Sequence, residues 1–145
     1  MQRTLALAAV LSAVLVFASP VSAAIFMRLA NVHVHRGGSA RIFGNPRHMP
    51  LYALPIRKLP CIRSHTCAGA IHRTKAPRRP FVLLGRAPGK AAANYDYAPR
   101  AFTIRLPRAL PAGKYVVFVW CASCSSLISA GTNPSGQPQV LDVRP

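Results

Sequence analysis

The chain has 145 residues, with 19 Lys or Arg against two carboxyl side chains, and a formal net charge of +17. Asp96 and Asp142 are those two carboxylates and there is no Glu, so acid–base work by paired carboxylates and carboxylate-rich sites for hard cations have almost no material here. The length suits one domain after any leader is removed, and an even count of four cysteines suggests an oxidising compartment.

Residues 1–23 read as a signal peptide. Arg3 supplies the positive start, Leu5–Ala18 is apolar apart from Ser12, and Ser19-Pro20 breaks the run. Val21-Ser22-Ala23 then offers the small-x-small pattern of a cleavage site. A membrane-spanning helix needs about 20 apolar residues, more than Leu5–Ala18 supplies. The expected product is residues 24–145, secreted or held in the periplasm or cell envelope, with no transmembrane segment.

From there on the punctuation is that of an all-β chain. Fourteen Pro and nine Gly cut it into short segments, with no helical period of useful length. Expected strands are Ile25–His35, Ala40–Phe43, Leu51–Leu54, Phe81–Leu84, Phe102–Leu106, Tyr115–Cys121 and Val140–Val143. Val32/Val34, Phe102/Ile104/Leu106 and Leu141/Val143 alternate as half-buried strands do. Tyr115–Cys121 is apolar throughout, which predicts a central strand with one face on the core and the other partly covered. The stretch 45–80 holds five prolines after Met49 and two cysteines, and reads as a long Pro-rich loop. Ala91–Ala93 supports one helical turn at most.

The segment Leu110-Pro-Ala-Gly-Lys-Tyr115, followed by Val-Val-Phe-Val, resembles the turn and penultimate strand of exported bacterial immunoglobulin-like and fibronectin type III-like modules. Val32–Gly44, with Arg36-Gly-Gly-Ser, resembles their opening strands. The resemblance implies a two-sheet immunoglobulin-like sandwich of about seven strands, in which the Tyr hydrogen-bonds back to upstream backbone. Trp120 directly precedes Cys121, so the intersheet disulfide with a Trp between its cysteines does not carry over.

Cys61, Cys67, Cys121 and Cys124 allow three disulfide pairings. The local one, Cys61–Cys67 with Cys121–Cys124, requires no assumption about tertiary contact and is the expected one. Trp120-Cys-Ala-Ser-Cys124 is similar to a thioredoxin active site, which sets up a redox alternative. Against it, too little chain follows Cys124 to complete that fold, and Ser125–Gly131 makes a poor amphipathic helix. Zinc on the four cysteines is a further alternative, although Arg63 and Arg73 beside His65 and His72 oppose a cation. His33 and His35 lie at i and i+2 on a strand and share one face, a two-imidazole arrangement suited to copper. The competing expectation is two histidines facing solvent from an edge strand.

No cofactor, metal site or catalytic set is assigned. Arg outnumbers Lys, 15 to 4, a bias that a GC-rich coding sequence also produces. The basic residues are scattered singly, which reads as a solvated basic surface; no nucleic-acid recognition motif accompanies them. The expected role is a non-catalytic exported module that associates with anionic envelope polymers or lipid headgroups.

Overall fold

A computed structural model describes residues 25–59, 70–89, 100–131 and 138–145. The leader, Cys61, Cys67, His65, Ala91–Ala93 and Asp96 lie outside the described residues. Ten strands are present among the described residues: β1 (Met27–Leu29), β2 (His33–His35), β3 (Ser39–Gly44), β4 (Pro50–Pro55), β5 (Ala70–His72), β6 (Val82–Arg86), β7 (Arg100–Arg105), β8 (Gly113–Cys121), β9 (Ser126–Ser129) and β10 (Val140–Arg144). One 3-10 turn, Ile56–Lys58, completes the regular structure of these residues. No helix among the described residues is long and apolar enough to cross a membrane. The fold is all-β.

The strands form two sheets. The smaller has the order β1-β3-β7; the larger runs β2-β10-β8-β4-β6, with β5 and β9 attached to it through β8. The pairings are antiparallel except β2 with β10, which is parallel. β8 organises the larger sheet. Its residues 115–119 pair with β4 along one edge, while the other edge pairs with β10 at 113–116 and with β9 at 118–121. The Ala130 amide, which bonds to Val117 O at 2.8 Å, continues the β9 register one step further. Val116 then takes Val140 as its partner. Thus β9 and β10 are two halves of one line of pairing, interrupted by residues 131–139.

Alternation along β8 explains why it is apolar at every position from Tyr115 to Cys121. Tyr115, Val117 and Val119 point into a core shared with the small sheet, among Leu29, Ile42, Ile104 and Leu141. Val116, Phe118 and Trp120 point the other way, into a second cluster with Leu54, Leu59 and Leu127, against which Ile56, Ile71 and Phe81 pack. The Phe81 ring meets Phe118 edge-on, centroids 6.0 Å apart. A strand with one polar face would expose half of these side chains; Ile56, Leu59, Ile71 and Phe81, all between β4 and β6, cover them instead. Within the stretch 45–80, β4 carries the expected strand Leu51–Leu54, while the 3-10 turn and β5 are regular structure where a loop was expected.

Two other expectations change. Ile25–His35 is not one strand: the chain leaves the small sheet after Leu29 and enters the large sheet at His33. Asn31 makes the break possible. Its side-chain oxygen accepts from the Arg41 amide at 2.6 Å and its nitrogen donates to Ser39 O at 3.4 Å, so a side chain takes over where β1 backbone ends. Asn45 does the same before β1, accepting from the Phe26 amide at 2.8 Å. Between them β1 lies so close to β3 that a Cβ at Gly44 would collide with the Phe26 carbonyl. The second change is β9, which the polar reading of Ser125–Gly131 missed; Leu127 there is fully buried.

Tyr115 fixes the entry into β8. Its hydroxyl donates to Pro111 O at 2.8 Å across the turn, and burial pushes the phenol pKa up against the pull of the Arg57 charge. Tyr115→Phe removes one hydrogen bond and leaves the ring in place, so it should cost about 1 kcal/mol. Urea unfolding should show this as a lowered midpoint with an unchanged slope. An unaltered midpoint would show that the turn is held by other contacts.

Candidate functional site

The outer face of the small sheet collects what the sequence scatters. In β1, Met27 and Leu29 face the core and Arg28 faces out; in β3, Ala40 and Ile42 face in while Ser39, Arg41 and Phe43 face out. In β7, Ile104 is buried and Ala101, Thr103 and Arg105 are exposed. Register then sets Arg28 opposite Phe43, Arg41 opposite Thr103, and Arg105 opposite Ser39. Arg28, Arg41 and Arg105 consequently step diagonally across the three strands. Diagonal neighbours in a sheet are about 7–8 Å apart.

Phe43 holds two of these cations. The Arg28 guanidinium carbon lies 5.6 Å from the ring centre and that of Arg41 lies 5.8 Å from it. Each such contact contributes about 0.5–1 kcal/mol at an exposed site, enough to restrain a long side chain without neutralising it. The remaining outward side chains, Ser39, Ala101 and Thr103, are short, so the guanidiniums stand above a flat floor. No salt bridge to these three arginines is present among the described residues. An arrangement of this kind offers planar, bidentate donors to an oxyanion and performs no bond chemistry on it.

Asp142, the one carboxyl side chain among the described residues, is occupied elsewhere. On β10 it lies 3.1 Å from Nδ1 of His33 and accepts from Nε of Arg144 at 3.4 Å. The Arg144 terminal nitrogen also approaches His33 Nδ1, at 3.0 Å. One ring nitrogen cannot donate to Asp142 and accept from Arg144 at once, so the two contacts belong to alternative tautomers of the ring. Burial works against ionisation of Asp142, but the bonds from His33 and Arg144 outweigh it and hold the carboxyl below its ordinary range.

Val34 is buried between His33 and His35, which both face solvent on the edge strand β2. His35 Nδ1 is engaged by Pro145 O at 3.1 Å. Their outward placement matches the solvent-facing expectation, and no cluster of three or more His, Cys, Asp or Glu fit to hold a metal occurs among the described residues.

Cys121 and Cys124 are joined to each other, with Cα atoms 5.2 Å apart. Cys121 ends β8 and is buried, while Cys124 is exposed in the turn to β9. The Cys124 amide donates to Cys121 Sγ at 3.1 Å. The motif therefore closes a β-hairpin, and a strand follows it where the thioredoxin pattern requires the start of a helix. His72, named beside the zinc alternative, is exposed on β5.

Sequence reasoning missed the arginine face because its members are 13 and 64 residues apart along the chain. The only signal was phase: each occupies the polar position of an alternating strand. Comparison with known proteins finds no family model, no curated protein and no solved structure that matches this chain.

Two outcomes follow from this geometry. Replacing both Cys121 and Cys124 by Ala should lower the thermal midpoint, because the chain-entropy effect of so short a loop is about 2 kcal/mol; a purely chemical role would leave the melt unchanged. Asp142 contributes stability above its ordinary pKa of about 4, and that contribution fades as pH falls through its lower value in the folded state. Wild type should therefore melt above Asp142→Asn at neutral pH, with the gap closing as pH drops below about 4. A gap that widens in acid would reverse the assignment.

Proposed function

We propose that this protein is an exported, non-catalytic immunoglobulin-like module that associates with anionic polymers of the cell envelope or its surroundings. The single observation that carries this reading is the arginine face on the small sheet: Arg28, Arg41 and Arg105 are exposed, ordered in part by Phe43, and free of a carboxylate partner among the described residues. The net charge of +17 adds long-range attraction to any polyanion.

The immunoglobulin-like part of the proposal draws support from topology. In that fold the first, second and fifth strands share one sheet, the third, sixth and seventh share the other, and a Tyr opens the sixth. β1, β3 and β7 neighbour one another in one sheet, while β4, β8 and β10 do so in the other. Tyr115, at the start of β8, bonds back to Pro111. Export rests on the leader reading of residues 1–23 and is favoured by the Cys121–Cys124 bond, which oxidising compartments maintain. Secretion or a periplasmic or envelope location follows from it.

The reading is tested by retention of residues 24–145 on anionic wall fragments and on anionic lipid vesicles across a salt series. Binding should be strong at low ionic strength and fall steeply as salt is raised, because exposed charges are screened over about 8–10 Å near physiological salt. Equal retention across the series, or none at low salt, overturns it.

A further inference from the structure

We propose that the open face of β1-β3-β7 is the binding surface itself and that its ligand is a linear phosphodiester polymer lying along the diagonal of Arg28, Arg41 and Arg105. This rests on the polyanion reading above and narrows it to one face and one ligand chemistry.

Three observations carry the choice of face. Its cations are in register: each of the three arginines lies one strand over and two residues along from the next. Steps of about 7–8 Å suit a chain with an anionic group at every repeat, which can meet each guanidinium in turn without bending. The second is preorganisation. Arg28 and Arg41 flank the Phe43 ring, so part of the entropy of ordering them is already lost before a ligand arrives. The third is position: the far face of the large sheet is covered by Ile56, Leu59, Ile71 and Phe81, whereas nothing among the described residues covers this side.

The choice of ligand follows from the side chains. Guanidinium forks bind phosphate oxygens in pairs, whereas an ammonium acts as a point charge; all three cations on the diagonal are arginine. A lipid surface is a poorer match. Ser39, Ala101 and Thr103 are short, and Phe43, the ring within the patch, is half-buried beneath two guanidiniums. Phe26, exposed just before β1 at the Arg28 end, is a single ring at the margin of the patch, and the diagonal itself supplies charge without an apolar wedge to enter a bilayer.

The experiment measures binding of the disulfide-intact protein to poly(glycerol phosphate) across a salt series, with poly-L-glutamate and phosphatidylglycerol vesicles as comparison ligands. Arg28→Gln/Arg41→Gln/Arg105→Gln is compared with Lys58→Gln/Lys75→Gln/Arg79→Gln, which removes the same charge from exposed positions on the covering segment. Each phosphate contact contributes about 0.7–0.9 to the slope of log K against log salt. The face variant should therefore lose about 2 units of slope on poly(glycerol phosphate), and the control variant less than half of that. The charge-conserving Arg28→Lys/Arg41→Lys/Arg105→Lys should keep most of the slope but bind more weakly than wild type. All of these side chains are solvent-facing, so thermal melts should show each variant folded.

Equal losses from the face and control variants would overturn the proposal while leaving the general polyanion reading intact, since diffuse charge would then account for binding. A face-variant loss that is larger on vesicles or poly-L-glutamate than on poly(glycerol phosphate) would overturn the ligand assignment. Failure of wild type to bind any of the three at low salt would overturn both readings.

Discussion

From Tyr115 to Cys121 the chain presents apolar side chains to both sides of a sheet, and neither side can be left in water. Fully burying a large apolar side chain is worth about 1.5–3 kcal/mol, so this strand alone commits on the order of 10 kcal/mol or more of gross burial to having two covers. The small sheet is one cover. Ile56, Leu59, Ile71 and Phe81 supply the other, packing onto Phe118 and its neighbours. β8 also has both backbone edges paired, so the line formed by β9 and β10 and the neighbouring β4 are placed by the same strand. The remaining geometry of the molecule follows from how these covers are reached and returned from.

With one face of the large sheet covered by Ile56, Leu59, Ile71 and Phe81 and the other by the second sheet, the broad sheet surface left in solvent among the described residues is that of β1-β3-β7. Charge collects there with little penalty to folding. Two guanidiniums about 8 Å apart in water repel by roughly 0.5 kcal/mol before salt is considered, and less once it is. Against the burial along β8 that is small, so an excess of cations is compatible with a folded domain even with a single ion-paired carboxylate in view. The same arithmetic explains why the charge carries more weight in association than in stability.

Much of this organisation could be read from residue order. The uninterrupted apolar run at Tyr115–Cys121 implied a central strand with one face on the core and the other partly covered, the resemblance of Leu110–Tyr115 to immunoglobulin-like modules implied a turn held by the phenol, and His33-Val-His35 implied a strand with its imidazoles on one face. Period two and turn chemistry are local, and local signals survive without a partner. What was missed depends on pairing. The break after Leu29 is made by Asn31 borrowing a strand's hydrogen bonds, which nothing in its own neighbourhood announces. β9 is too short and Ser-rich to read as a strand, and it exists because the hairpin after Cys121 lays it beside β8. The arginine diagonal needed the register of three strands, each from a distant part of the chain.

The interrupted pairing beside β8 has its own implication for how such a chain can change. Ala130 and Val140 meet neighbouring positions of β8, so the number of residues between them does not enter the register of the sheet. The two feet of that interval are less free. The Gly131 amide donates to Met27 O at 2.6 Å, and Gln139 accepts from the Leu29 amide at 2.7 Å, which ties β1 to the far sheet. Lengthening, shortening or replacing the stretch between the feet would leave both sheets in place, whereas altering Gln139 would loosen a seam between them. Evolution, or a designer, is thereby given a graft point at which new sequence can be displayed without renegotiating the core.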